Sequence, residues 1–489
     1  MGLIPPLQQL CTQFLLKHAI DSKPFPIPFE RIPLHILYSL LSSLIQQSPL
    51  SASYLISRWS HPSLDLSKLK LDSSLLSLVL SAVQKQTVSK RKGVERKITK
   101  LNVIGCGVNE QGTNSLLLFA MGVDVLEDVK GMKGVDTRTR FFSREGKLVG
   151  LGANQNLLND HQKTTPIISC DIFISPSNIQ LATYVFGLVH VHECLRINRL
   201  MFAYVGDTIK LKNLLLKIFN GSLMTSCLDG LSLDNCESCS SFSLGPFYHS
   251  SCSEQLKFLQ LKYNRISDIS TLLLPLQSLS ELVLTGNVIP DISTAIELIS
   301  GMSQLTSISI TFSWLNATKI ASLLRGLSNK NISKLDLEGN ILSGSSTTEM
   351  NQELSRFSNS ITSLNFAHQR LSSSKLNQLI KVLQEFKNLQ FLNIEGNIRG
   401  TEDGNPRTLD HLLTLIKKCS TLKVLKADFN FLDIDQVTNF LLEIFDPSEL
   451  PSTNLTTLGN FSPDSKPKIE QSLSLLSTKN SISLLYGNI

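Results

Sequence analysis

Residues 256–266 read Leu256-Lys257-Phe258-Leu259-Gln260-Leu261-Lys262-Tyr263-Asn264-Arg265-Ile266. The apolar positions and the asparagine follow L-x-x-L-x-L-x-x-N-x-L. The skeleton returns at Leu279, Leu282, Leu284, Asn287 and Ile289, and again at Ile332, Leu335, Leu337, Asn340 and Leu342. Leu389, Leu392, Ile394 and Asn397 form a further copy. Blurred copies stand between them. Leu305, Ile308, Ile310 and Leu315 carry Ser313 in the asparagine's place, and Ile361, Leu364, Phe366 and Leu371 carry Gln369. Leu422, Leu425, Asn430 and Leu432 close the series, with Ala427 replacing one leucine. Starts lie roughly 23 to 33 residues apart, the long end of the leucine-rich-repeat period.

In L-x-x-L-x-L the alternating apolar residues leave one side of a short strand. The asparagine stands where the chain turns away, and its amide can bond the backbone of the stacked neighbour. Between strands the apolar spacing becomes helical, as in Ile320, Leu323, Leu324 and Leu327, or Leu376, Leu379, Ile380 and Leu383. A strand-plus-helix unit cannot bury its apolar face alone, so the units must stack. The expected fold is α/β: a leucine-rich-repeat solenoid, a ribonuclease-inhibitor-like horseshoe with a parallel concave sheet, outer helices and an N-terminal helical cap.

Of 489 residues, 42% are hydrophobic and 18% charged, the composition of a packed chain. The formal charge of +6 is small for this length and dispersed apart from one cluster, which argues against nucleic acid as a partner. No apolar run approaches the roughly 20 residues of a membrane helix, and no basic segment precedes the apolar N-terminus as in a secretory signal. Nine cysteines without paired spacing suit reduced thiols. Cys106 and Cys236 fall where a turn asparagine would stand. These features predict a cytoplasmic chain, with a nuclear address as one reading of the basic cluster over 85–100 and a solvated loop as the other.

Four regions are expected: a helical region over 1–84, a basic loop and irregular first repeats over 85–255, regular repeats over 256–445, and a C-terminal cap over 446–489. In the first, Leu7, Cys11 and Leu15 share a helical face after Pro5-Pro6. A second helix begins near Ile32-Pro33, with Ile36, Leu37, Leu40, Leu41 and Leu44 on one face. As amphipathic helices both suit a cap over the open end of the repeats. Trp59 suits a core position joining that cap to the first repeat. The first repeat itself is placed at Ile98, Leu101, Val103 and Cys106. Residues 110–165 show no repeat, Ile167 to Ile174 reads as a strand, Asp207 to Phe219 as a helix, and Leu228, Leu231, Leu233 and Cys236 as another repeat. The segment 468–485 reads as an amphipathic cap.

Pro6-Leu7-x-x-x-Cys11-x-x-x-Leu15 resembles the BC box by which substrate receptors dock on elongin C. Ile32-Pro33-x-x-Ile36-x-x-x-Leu40 resembles the cullin-2 box; His35 stands where a cullin-5 box prefers proline. The order of two boxes, a helix ending in Trp59, a Leu-rich segment and repeats is similar to the PRAME family, in particular the branch called leucine-rich-repeat-containing protein fourteen. Family members carry Trp-Pro-Phe where this chain has Trp59-Ser60-His61. The resemblance implies elongin B/C and cullin-2 as partners, with Leu7, Cys11 and Leu15 on elongin and Ile32, Pro33, Ile36 and Leu40 on the cullin.

No catalytic motif is visible, so an enzyme is not expected, nor a cofactor. Cys227, Cys236, Cys239 and Cys252 contain one C-x-x-C but lack the second pair of a zinc site. His190-x-His192-Glu193-Cys194 lacks the spacing of two ligands on one helical face. Function in such an array sits between the framework leucines. Phe258, Tyr263, Phe312, Asp336, Glu338, His368, Glu395, Asp428 and Phe429 are the candidate client-binding residues, because aromatic anchors with a polar rim suit a protein partner. The expected function is a substrate-recognition subunit of an elongin B/C–cullin-2 ubiquitin ligase. The alternative is a non-catalytic scaffold that inhibits a signalling complex, which the resemblance links to Toll-like-receptor and NF-kappa-B signalling through an IκB kinase subunit. A toxin blocker like ribonuclease inhibitor shares the fold class but leaves the two boxes without a role.

Overall fold

The computed structural model describes residues 34–48, 51, 52, 55, 56, 59, 63–69, 71–88, 98, 100–106, 108–120, 166–219, 225–236, 254–264, 273, 276–289, 292–342, 346–397, 407–428, 434–445, 455–461, 466–473 and 483–486. The expected elongin-binding residues Leu7, Cys11 and Leu15 lie outside these, as do Ile32, Pro33 and Phe429. The chain divides into two compact units, Met1–Ser238 with Phe242–Leu256, and Cys239–Ser241 with Lys257–Ile489.

The first unit contains helix α1 (Leu34–Gln47), strand β1 (Ser63–Asp65), α2 (Ser73–Val88), β2 (Lys100–Asn102) and α3 (Glu110–Ala120). After these come β3 (Ile167–Ile174), α4 (Ile179–Val185), α5 (Val189–Cys194), β4 (Leu195–Ala203), α6 (Thr208–Phe219) and β5 (Gly230–Asp234). Its strands pair in parallel in chain order, with Leu64, Leu101, Ile168 and Leu195 in one register row and all four buried. The second unit contains β6 (Phe258–Lys262), β7 (Glu281–Thr285), α7 (Ile292–Gly301), β8 (Ser307–Ser309), α8 (Ala317–Leu327) and β9 (Lys334–Asp336). It continues with α9 (Thr348–Ser355), β10 (Ser363–Asn365), α10 (Ser373–Leu383), β11 (Phe391–Asn393) and α11 (Arg407–Lys418). Strand β12 (Val424–Asp428), α12 (Ile434–Phe445), β13 (Thr457–Phe461), α13 (Lys466–Leu473) and β14 (Ser483–Tyr486) complete it.

The framework residues Leu259, Leu282, Ile308, Leu335, Leu364, Leu392, Leu425, Leu458 and Leu484 stand side by side across these nine parallel strands. Burying such a side chain is worth about 2 kcal/mol, so a slip of one residue in any strand would turn several of them to solvent. Behind the strands each helix from α7 to α13 packs on the next. Ile320, Leu323, Leu324 and Leu327 of α8 and Leu376, Leu379, Ile380 and Leu383 of α10 are buried, as the helical spacing predicts. The fold is a leucine-rich-repeat α/β solenoid.

Two expectations are corrected and one is extended. The first strand is β1, one repeat earlier than Ile98: its three residues hold one buried leucine, Leu64, with buried Leu66 just past its end, too short a run to show in a periodicity count. Strand β3 has the bounds expected of it, while the long strand β4 beside it was not expected, and a register shift between Cys170 and Asp171 breaks the alternation that would have marked a repeat. The array also continues to β14, so the segment 468–485 is part of a further repeat and not one cap helix. Its Leu484 takes the framework position beside Leu458.

Helix α1 is tied to the start of the array. Leu37, Leu40, Leu41 and Leu44 are buried, Trp59 is 1% exposed, and its ring stands 5.3 Å from that of Tyr38. Asp65 N donates to Tyr38 Oη at 2.8 Å and Trp59 Nε1 donates to Ser63 O at 3.2 Å. These two bonds take up a donor and an acceptor of β1 that no strand among the described residues pairs, which is how an exposed sheet edge is closed. Burial accordingly raises the Tyr38 hydroxyl above its ordinary pKa. Leu40, expected to face a cullin, is fully buried by the chain's own packing. The side chain of Ile36 is outside the described residues.

Candidate functional site

The turn that follows each strand organises the exposed rim of the second unit. Asn340 is 1% exposed and its amide reaches four backbone groups. Nδ2 donates to Ile310 O and Leu337 O, each at 2.7 Å, while Oδ1 accepts from Ser313 N at 3.3 Å and Leu315 N at 3.0 Å. Asn287 binds Leu261 O and accepts from Asn264 N; Asn397 binds Phe366 O and Ile394 O and accepts from Gln369 N. Ser313 imitates half of this by donating to Leu284 O and Thr311 O. Gln369 donates to Leu337 O and Ala367 O, but its buried Oε1 has no hydrogen-bond partner among the described residues.

The residue before each turn asparagine, or its substitute, must adopt left-handed backbone. Along the array it is Tyr263 (φ 54°), Gly286 (66°), Phe312 (51°), Gly339 (69°), His368 (57°) and Gly396 (69°). Ring and glycine alternate for a steric reason. A Cβ on Gly286 would lie 2.2 Å from Tyr263 Cδ1, one on Gly339 would lie 2.3 Å from two Phe312 ring carbons, and one on Gly396 would lie 2.1 Å from His368 Nδ1. Each ring therefore lies over the glycine of the next repeat, and a glycine's tolerance of positive φ is joined to a need for empty space. Trp314 (φ 59°) and Arg370 (φ 55°) stand two residues after Phe312 and His368, also left-handed. Such strain in bulky residues costs roughly 1–2 kcal/mol each and concentrates at functional sites.

These side chains line a cavity of about 610 Å³ with Ile341 on its wall. Trp314 is 68% exposed and Tyr263 48%, so the aromatic surface faces solvent. Tyr263, Phe312 and His368 from the expected client-binding set are thus brought together. The other described members sit nearer the strands. Phe258 is half-buried in β6, Glu395 is half-buried, and Asp336 ends β9. Burial raises the Asp336 carboxyl above its ordinary value, against the hydrogen bond it accepts from Glu338 N at 3.2 Å. Glu338 accepts from Asn365 Nδ2 at 3.0 Å and lies 3.9 Å from His368 Nε2. Asp428 belongs to β12, with its side chain outside the described residues. Trp314, Arg370 and the three glycines were not singled out by the sequence. For the glycines the signal was the alternation of ring and glycine at one repeat position, visible only once the copies are aligned on the asparagine; Trp314 and Arg370, two residues further on, carry no such signal.

No family model matches this chain, and no curated protein does. Solved structures resemble the chain at low identity. The chain is similar to a leucine-rich-repeat-containing protein, LegL7, from Legionella pneumophila, at 15% identity and a TM-score of 0.38, covering 64% of this chain and 99% of that one. It is similar to an internalin from Listeria monocytogenes at 16% identity and TM-score 0.30, covering 61% and 77%. It is also similar to a chain of the yeast Rad7 and Elc1 complex at 12% identity and TM-score 0.44, covering 99% of each.

Among the described residues no group of histidine, cysteine and carboxylate side chains is placed to hold a metal ion. His192 Nε2 bonds Phe186 O at 2.8 Å, and Cys194, with its pKa pushed up to about 11 by burial, is enclosed in the first unit. Cys106 and Cys236 occupy their turn positions, the former donating to Leu66 O at 3.3 Å and the latter to Asp234 O at 3.5 Å. No helix among the described residues is long and apolar enough to cross a membrane.

Proposed function

We propose that this chain is a client-binding subunit that brings a protein held on its repeat rim to an elongin B/C–cullin-2 ubiquitin ligase. The observation that carries the client half is the exposed rim of Tyr263, Phe312 and Trp314 at the ends of a rigid strand array. Large exposed aromatic side chains on a fixed frame are where binding energy concentrates in protein interfaces. The ligase half rests on the two boxes, Leu7, Cys11 and Leu15 followed by Ile32, Pro33 and Ile36, and on the likeness to the PRAME family and its branch named above. With Leu40 closed off, the cullin contact falls to the residues before it. Catalysis would be by proximity, the chemistry belonging to other subunits.

Affinity purification from cells with proteolysis blocked tests this. Elongin B/C and cullin-2 should copurify with the parent chain and be lost with the double substitution Leu7→Ala and Cys11→Ala, while circular dichroism stays unchanged. Retention of elongin by that variant would leave both helices as cap elements. The inhibitory-scaffold reading, with an IκB kinase subunit as the masked partner, predicts a different consequence of deletion: the bound protein keeps its abundance, whereas a degraded client accumulates.

A further inference from the structure

We infer that the rim cavity is a docking groove for a proline-rich segment of a partner protein in the polyproline II conformation. The inference rests on the rim being the client site and names the chemistry of what it holds. Three observations converge on it.

The first is spacing. The rings of Tyr263, Phe312 and His368 recur on every second strand, each lying over the glycine of the next. Neighbouring strands lie about 4.8 Å apart, so the ring platforms repeat at about 9.6 Å. A polyproline II helix returns to the same face every three residues, after about 9.3 Å. An extended strand returns after about 6.8 Å and an α-helix after about 5.4 Å, so neither meets successive platforms with successive residues of one face.

The second is hydrogen-bond chemistry. Tyr263, Trp314 and Arg370 offer an O–H, an indole N–H and a guanidinium to the cavity, so its polar capacity is mostly donor. Asn340 also lines it, but its amide is committed to four backbone groups. A proline-rich chain is the matching ligand, since its carbonyls are unpaired within the helix and its prolines carry no N–H. A nucleic acid would meet one arginine, with Glu338 beside His368.

The third is preorganisation. Tyr263, Phe312, Trp314 and His368 are held at positive φ, and three of the rings lie directly over glycine backbone. Proline rings stack in grooves of this kind between flat aromatic walls.

The test titrates a fluorescein-labelled, blocked ten-residue polyproline peptide against the full chain, reading anisotropy, with tryptophan emission as a second signal. Trp59 is buried and Trp314 exposed, so a blue shift and protection from acrylamide report the rim. Saturable binding is expected, weakened about tenfold or more by Trp314→Asn, which tolerates left-handed backbone, and by Phe312→Asn. A Gly/Ser peptide of equal length, cellohexaose and a ten-base oligothymidylate should not compete. Absence of binding up to millimolar peptide, equal binding by the Gly/Ser peptide, or displacement by the sugar or oligonucleotide each overturns the inference. If polyproline fails while a purified client still binds and is lost with Trp314→Asn, only this inference falls. If client binding ignores Trp314→Asn and Phe312→Asn, the rim is not the client site.

Discussion

The turns after β7 to β11 and those after β2 to β5 solve one problem in two ways. In the second unit a buried side-chain amide or hydroxyl bonds the backbone of the stacked repeat, and the residue before it is ring or glycine in alternation. In the first unit Cys106 and Cys236 hold the turn position with weak thiol bonds. There a buried carboxylate does part of the work: Asp171 Oδ2 accepts from Gly105 N at 2.8 Å and Oδ1 from Asn198 Nδ2 at 3.2 Å. Gly105 has φ +76° like its counterparts, yet a Cβ there would meet nothing within 4 Å. The two units thus share a backbone requirement. Among the described residues the first unit sets one ring there, Tyr204 at φ 58°, followed in the next repeat by Asn235 rather than glycine, whereas the second stacks ring over glycine.

Breaking the amide ladder should have the largest effect. Asn340→Leu strands four backbone groups in the interior and should cost about 4 kcal/mol or more, whereas Cys106→Ala should cost about 1 kcal/mol; urea denaturation distinguishes them. Near-equal costs would mean that the amide and the thiol play equivalent parts. Next come the glycines. Gly339→Ala adds the strain of left-handed backbone to a collision with Phe312 and should cost about 2–3 kcal/mol, while Gly105→Ala carries only the backbone part, about 1 kcal/mol. Adding Phe312→Ala should bring Gly339→Ala down to the Gly105→Ala value, and an unchanged cost in that double mutant would refute the ring-over-glycine account.

A stabilising change sharpens the comparison. Gln369→Asn should restore the carbonyl oxygen to its ladder position and add about 1 kcal/mol, read as a higher midpoint in the same denaturation. A last effect concerns the thiols and grows with pH. Burial raises Cys170 and Cys194, the latter to about 11, so the folded chain keeps protons that the unfolded chain releases near pH 9. Stability should therefore be level up to about pH 8 and fall as pH rises beyond 9, by about 1 kcal/mol per pH unit for Cys194 until its folded value is reached. At pH 8 exposed Cys227 should react with iodoacetamide while Cys170 and Cys194 stay protected, as peptide mass spectrometry would show.

Much of the second unit was legible because its signal is local. Leucines at fixed offsets from an asparagine fix strand, face and register together, and the helical spacing of Ile320 to Leu327 fixes what lies behind. The first unit resisted because β3 and β4 carry a register shift, its turn residues are thiols and a carboxylate, and its first strand holds a single leucine, Leu64. Of the candidate client residues, Tyr263, Phe312 and His368 were reachable as ring residues between framework positions. Trp314 and Arg370 were not, since nothing in their spacing says that two left-handed turns bring them to one cavity.

The sequence by itself determined the repeat, its period, the buried row of leucines and the amide that closes each turn, because these depend on neighbours a few residues apart. Only the tertiary structure decided that rings and glycines interlock across repeats, that Tyr38 and Trp59 close the edge of β1, and that Leu40 faces inward. Those outcomes depend on which side chains meet across stacked units, a relation that offsets along one chain do not encode.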